Sequence, residues 1–175
     1  AFVDQAREIA VRAGYRWQVE GPYVRRAPGV AEAAGGQWHL GETGPARLDS
    51  GLAILSDYPV TSVVRAPFPE GACAGFDCLA AKGVLLVTVT VPGAGEVAIA
   101  ATHLNSRKAS GADFERTHRA YARQVAFLSE FLARHRPASS PLVLAGDFNR
   151  GQRPARIAAL AAAERALGLT NTLQA

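Results

Sequence analysis

Methionine is absent from the 175 residues, cysteine and lysine each occur only twice, and no apolar run is long. Val84–Val91 is interrupted by Thr88 and Thr90, far short of the roughly 18 to 20 apolar residues that a membrane-crossing helix needs. A membrane-spanning helix is therefore excluded. Charged residues are also scarce, at 19% against 49% apolar. That excludes a disordered chain, which requires low hydrophobicity together with high net charge. The start carries neither an initiator methionine nor a signal-peptide pattern, as expected of a chain that begins inside a domain. Location stays open between secreted or periplasmic and cytoplasmic.

The cysteines lie in Gly71-Ala-Cys-Ala-Gly-Phe-Asp-Cys78, and no Cys/His spacing suits a structural metal site. Two alternatives remain for Cys73 and Cys78: a small disulfide loop, implying an oxidising compartment, or two free thiols. Seventeen of the nineteen basic residues are arginines, and the net charge is +4. This favours anionic partners only weakly, and an alanine- and arginine-rich composition also arises from codon bias.

Phe2, Ala6, Ile9, Ala10 and Ala13 fall on one helical face, with Gly14 placed to cap it. Tyr15–Val19 alternates like a strand, and Gly21–Asp49 is a Gly- and Pro-rich excursion. Gly51–Ser56 is expected to be a buried strand closed by Asp57-Tyr-Pro59, with Thr61–Phe68 as its return. Gly83–Val91 and Glu96–Thr102 flank the turn Pro92-Gly-Ala-Gly95 as a hairpin. A helix over Asp113–His135 carries the stripe Phe114, Tyr121, Val125, Leu128 and Leu132. Pro141–Ala145 reads as a short buried strand, Pro154–Leu167 as a helix closed by Gly168, and Leu169–Leu173 as the start of another strand. With no repeat or linker, residues 1–175 form one layered α+β domain.

Polar clusters follow two apolar strands: Thr102-His-Leu-Asn-Ser-Arg107 and Gly146-Asp-Phe-Asn149. Strand ends are where scaffolds present chemistry. In extended chain, Asp147 and Asn149 point to one side and offer a carboxylate and an amide to one phosphate or hydrated cation. His103 supplies an imidazole able to exchange a proton near neutral pH. The plain alternatives are turn chemistry for Asp-x-Asn and a hydrogen-bonded structural histidine. His118 and His135, on the helix, and His39 are expected to be structural.

The order Gly51-Leu-Ala-Ile-Leu-Ser-Asp-Tyr-Pro59, Lys82-Gly-Val84, Thr102-His-Leu104, a helix containing Arg123-Gln124, and Gly146-Asp-Phe-Asn149 resembles the endonuclease/exonuclease/phosphatase superfamily, the deoxyribonuclease I-like fold. Lys82-Gly83 and Thr-His-Leu look most like its neutral sphingomyelinase-like branch. The resemblance implies a four-layer α/β/β/α sandwich, Mg²⁺ (or Mn²⁺), and cleavage of phosphate esters. His103 matches the family histidine that contacts the scissile phosphate and helps the leaving oxygen depart. Asp147 and Asn149 match the Gly-Asp-x-Asn pair: the first orients or activates the nucleophile, the second holds the phosphate, and in some members both approach a metal. Asn105 and Arg107 are plausible substrate contacts, and Lys82 is a third candidate, with a solvated strand-edge charge as its alternative. The principal metal-binding Glu is expected just before Ala1, and no closing Asp-His pair precedes Ala175. On this view the chain is a partial domain lacking N- and C-terminal segments.

The function expected is a metal-dependent phosphodiester hydrolase acting on a phospholipid head group or a small phosphodiester. A nuclease acting on DNA or RNA is the alternative, and a non-catalytic phosphate-binding domain or inactive fragment is another. A nuclease needs a basic surface beside its cleft. Arg107, Lys108, Arg116, Arg119 and Arg123 offer one, but without interleaved aromatics for base stacking they read as a solvated face, Arg119 and Arg123 meeting Glu115 or solvent. Trp38, in the Gly-rich excursion, is the one aromatic offered for membrane contact, with ordinary packing as its alternative. No protein partner is inferable.

Overall fold

The β-branched run Gly83–Val91 forms a strand buried through its first seven residues, as a continuous apolar run covered on both faces should be. The computed structural model describes residues 5–23 and 46–172. In chain order these hold α1 (Gln5–Ala13), β1 (Trp17–Glu20), β2 (Ala53–Ser56), β3 (Val60–Pro67), β4 (Gly83–Val91), β5 (Gly95–His103), α2 (Phe114–His135), β6 (Leu142–Asp147) and α3 (Pro154–Leu167). A 3-10 turn, Gly75–Leu79, precedes β4. β1 and β2 make an antiparallel pair, and β3-β4-β5-β6 make a second sheet.

The two faces of that second sheet account for the layers. Val84, Leu86, Ala98 and Ala100 pack on Leu128, Phe131 and Leu132 of α2 and Leu167 of α3. Leu85, Val87 and Val89 meet Val19 of β1 and Ile54 of β2. α1 lies against β1 and β2, burying Ala10. The order is therefore α1, two-stranded sheet, four-stranded sheet, then α2 with α3, which is the expected α/β/β/α arrangement. Each fully buried Leu, Val or Phe contributes about 1.5–3 kcal/mol. Asp113 caps α2 by accepting the Arg116 N–H at 2.8 Å, and Gly168 ends α3 in the left-handed region.

Several expectations need correcting. Thr61–Phe68 is not the return strand of Gly51–Ser56: β2 pairs with β1, whereas β3 crosses to the other sheet and pairs with β4. The Ser56 hydroxyl holds that crossover by accepting the Tyr58 N–H at 2.9 Å. Ile9 and Phe114, placed on the apolar faces of their helices, are about half exposed, because α1 covers only two short strands and Phe114 opens the first turn of α2. Pro141–Ala145 is not a buried strand. Val143 is 52% exposed, since it lies opposite Ile99 on the face that the two-stranded sheet leaves partly uncovered. Leu169–Thr172 form no strand, although Leu169 packs against the core. Phe2, most of the Gly21–Asp49 excursion with Trp38 and His39, and Leu173 lie outside the described residues.

Cys73 and Cys78 are disulfide-bonded, which decides between the two alternatives. The bond closes a short loop around the 3-10 turn, and the loop is also anchored from outside, since Ala74 N donates to Asn105 Oδ1 at 3.0 Å and Phe76 N to Ser110 O at 2.7 Å. Closing a loop of this size stabilises the fold by about 2 kcal/mol through the unfolded chain. Urea unfolding with and without a thiol reductant should show a loss of that order; an unchanged midpoint after complete reduction would contradict it.

Candidate functional site

The two polar clusters meet because β5 and β6 run in parallel, with Thr102 opposite Gly146 and His103 opposite Asp147. Gly146 has φ +142, and a Cβ there would collide with the Thr102 carbonyl oxygen. Glycine is thus required for β6 to approach so closely. Leu104 N donates to Asp147 O at 2.9 Å and extends the ladder past both side chains. A histidine and a carboxylate distant in sequence so become neighbours on rigid strands.

His103 is about one-third exposed at its side chain, and its Nε2 faces two groups. Lys82 Nζ lies 3.1 Å away and Asp147 Oδ2 3.6 Å away. Lys82 itself is buried, and its ammonium also donates to Asp77 Oδ2 at 2.9 Å and to Leu104 O at 3.3 Å. Three protons therefore face three acceptors. An ammonium has nothing to accept with, so Nε2 must be the acceptor in that contact, and the ring proton of the neutral imidazole is assigned to Nδ1. Burial, reinforced by the Lys82 charge, lowers the His103 pKa, while Asp147 and Asp77 pull the other way. The result is a neutral imidazole beside an exposed carboxylate.

Asn149 departs from the extended geometry expected of it. β6 ends at Asp147, and Asn149 has φ +43, a left-handed conformation that asparagine tolerates better than most residues. Asp147 Oδ1 accepts the Asn149 N–H at 2.9 Å, so the turn chemistry weighed against a site is present as well. Asn149 Nδ2 donates to Leu104 O at 2.9 Å. Asp147 Oδ2 and Asn149 Oδ1 are the atoms not engaged in these bonds.

Of the expected substrate contacts, only Arg107 is exposed. Asn105 is fully buried: Oδ1 takes the Ala74 N–H and Nδ2 donates to Ser106 O at 2.8 Å. Its backbone N–H donates to Gln124 Oε1 at 2.6 Å, and Gln124 Nε2 donates to Ala72 O at 2.7 Å. It is a structural tie among three segments, which corrects its assignment to substrate. Lys82, at 8% exposure, is not a solvated edge charge, and its protons are committed to protein acceptors. Arg123, expected to meet Glu115 or solvent, donates to Gly71 O at 2.8 Å.

Asp77 was not singled out from sequence, yet it is buried and accepts from both Lys82 Nζ and Ser106 N. The available signal was an acid five residues before the lysine, inside the cysteine loop. Arg156 was also missed, with no signal beyond being one arginine among seventeen.

Mg²⁺ takes hard oxygen ligands, commonly one or two carboxylates, and keeps several waters. Asp147 Oδ2 and Asn149 Oδ1 are oxygens of that kind on an exposed turn, so the donors fit. Among the described residues no group of three or more His, Cys, Asp or Glu is placed to hold a metal.

The sequence profile of the Endonuclease/Exonuclease/phosphatase family matches residues 4–171. A search of curated proteins finds no match. Sphingomyelinase C from Streptomyces griseocarneus is similar in structure, with 25% identity and TM-score 0.61 over 89% of this chain and 49% of that one. A beta toxin mutant from Staphylococcus aureus with bound magnesium ions has 20% identity and TM-score 0.62 over 92% and 51%. An endonuclease/exonuclease/phosphatase from Beutenbergia cavernae has 20% identity and TM-score 0.58 over 91% and 38%. The chain spans about half the length of the first two and less of the third. No helix among the described residues is long and apolar enough to cross a membrane.

The electrostatics of His103 are directly measurable. In the metal-free protein its NMR titration midpoint should lie below 6.5, and Lys82→Met should move it upward. Between 6.5 and the lower folded value the unfolded chain binds more protons. The His103 contribution to stability is thus present above pH 6.5 and lost as pH falls through the folded pKa. A wild-type midpoint at or above 6.5 contradicts the assigned environment.

Proposed function

Because the chain belongs to the endonuclease/exonuclease/phosphatase family, whose members are generally phosphoester hydrolases, we propose that it forms the His103–Asp147–Asn149 side of a divalent-metal-dependent phosphodiesterase site. The observation carrying this is the pairing of His103 with Asp147 at the ends of parallel strands, with the Asn149 turn beside them. The 25% identity to a sphingomyelinase C favours a phospholipid head group or another small phosphodiester as substrate. The disulfide favours an oxidising location, outside the cytoplasm. Residues 1–175 act within one domain.

Hydrolysis forms a new P–O bond from water and breaks the P–O bond to the leaving oxygen. Negative charge grows on the leaving and non-bridging oxygens. Asp147 aligns the attacking water and takes its proton as the new bond forms, and the Asn149 amide holds the phosphate. His103 contacts the phosphate and passes a proton to the leaving oxygen. Its lowered pKa makes it neutral in the free protein, and an arriving anionic phosphate favours its protonation. Arg107 contributes charge to substrate binding. Asp147 and Asn149 would hold Mg²⁺ or Mn²⁺, which supplies positive charge against the developing anion. Lys82 acts on His103 rather than on substrate.

The full-length protein should hydrolyse sphingomyelin and bis(p-nitrophenyl) phosphate with Mg²⁺, and EDTA should abolish both activities. His103→Ala should lower kcat by about 10²–10⁴. Hydrolysis that persists in EDTA would reject the metal, and full activity in His103→Ala would reject the site. Cleavage of plasmid DNA without sphingomyelin would move the substrate to nucleic acid. Phosphate binding without any hydrolysis would leave a binding domain.

A further inference from the structure

Arg156 lies in the first turn of α3 and is 3% exposed, yet its hydrogen bonds go to backbone carbonyls rather than to a carboxylate. Nη1 donates to Asn105 O and to Asn149 O, each at 2.8 Å, and Nη2 donates to Thr117 O at 3.3 Å. The guanidinium sits 4.3 Å over the Tyr121 ring, itself fully buried. Burying a cation costs free energy and is tolerated where its donors are met. Here two of the three bonds go to the loops that carry the candidate site, and the third goes to Thr117 of α2. Asn105 is two residues past His103, and Asn149 is two residues past Asp147, so a single nitrogen bridges both strand ends.

Asn149 is the residue this bridge constrains most. Its left-handed backbone is held by three hydrogen bonds: its N–H to Asp147 Oδ1, its side chain to Leu104 O, and its carbonyl from Arg156. The first two come from the strand ends themselves, whereas Arg156 reaches in from α3 and ties the turn to Asn105. We propose that Arg156 is a positioning residue that sets the spacing of the His103 and Asn149 loops and thereby fixes where Asn149 presents its amide. Its kinetic consequence rests on the phosphodiesterase assignment, but its geometric consequence does not. One nitrogen of the planar guanidinium spans the two loop carbonyls while the other reaches Thr117 and the plane stacks on Tyr121, a combination that a lysine ammonium cannot reproduce.

The test uses the full-length protein with Arg156→Lys and Arg156→Met. Arg136→Lys serves as a control, because Arg136 holds a single carbonyl, that of Leu167, at the end of α3. The first readout is hydrogen exchange and the ¹⁵N resonances of Asn149, which need no activity. The second is kcat and KM on bis(p-nitrophenyl) phosphate with Mg²⁺. In folded Arg156→Lys, Asn149 should exchange about tenfold faster or more, and kcat should fall by a similar factor. KM should stay within about threefold, and Arg136→Lys should alter neither readout. If the wild type hydrolyses no phosphodiester, the functional assignment fails while Asn149 exchange still decides the positioning claim. Unchanged Asn149 resonances and exchange in Arg156→Lys overturn the proposal, as does a fall in melting temperature with kcat intact. Failure of both variants to fold reassigns Arg156 to stability and overturns it equally.

Discussion

The parallel pairing of β5 with β6 is the constraint on which the site depends. The register that sets Thr102 against Gly146 necessarily sets His103 against Asp147, and it is possible only because residue 146 has no side chain to strike the Thr102 carbonyl. A slip of one residue would turn the two chemical groups to opposite faces. Burial on the other side secures the register, since Ala98 and Ala100 of β5 and Leu142 and Leu144 of β6 pack toward α2 and α3. Core packing thus positions the site, and the polar residues inherit their geometry from it.

Around this frame the protein buries charge. Lys82 and Asp77 form an ion pair less than a tenth exposed at either side chain. Such a pair adds little net stability, because desolvation offsets attraction, but losing one partner alone costs about 3–5 kcal/mol. The arrangement is better explained by what the pair touches. Lys82 meets His103 Nε2, and Asp77 meets the Ser106 N–H on the loop beyond. The disulfide and the Ala74–Asn105 contact hold the 3-10 turn that supplies Asp77.

Much of this was legible in the sequence. Apolar runs ending in polar residues located β5 and β6 and drew attention to His103, Asp147 and Asn149, while the 3.6-residue stripe located α2. Two kinds of feature were not legible. Strand pairing across sheets leaves no local trace, so Thr61–Phe68 read as the partner of its neighbour in sequence when it pairs with Gly83–Val91. Burial of polar side chains depends on long-range packing, so Asn105 and Lys82 looked like solvent-facing contacts, and Asp77 and Arg156 drew no attention. The Asn149 turn illustrates both: an Asp-x-Asn pair that would share a side in extended chain is bent by its own hydrogen bond.

The central claim is that His103 and Asp147 act as one unit, and a double-mutant cycle tests it most directly. kcat/KM is measured on bis(p-nitrophenyl) phosphate for the full-length protein, His103→Ala, Asp147→Ala and the double variant. Residues acting together in one transition state are strongly non-additive, so the double variant should be little worse than the more damaged single one. Losses that multiply across the cycle would show two independent residues and contradict the account.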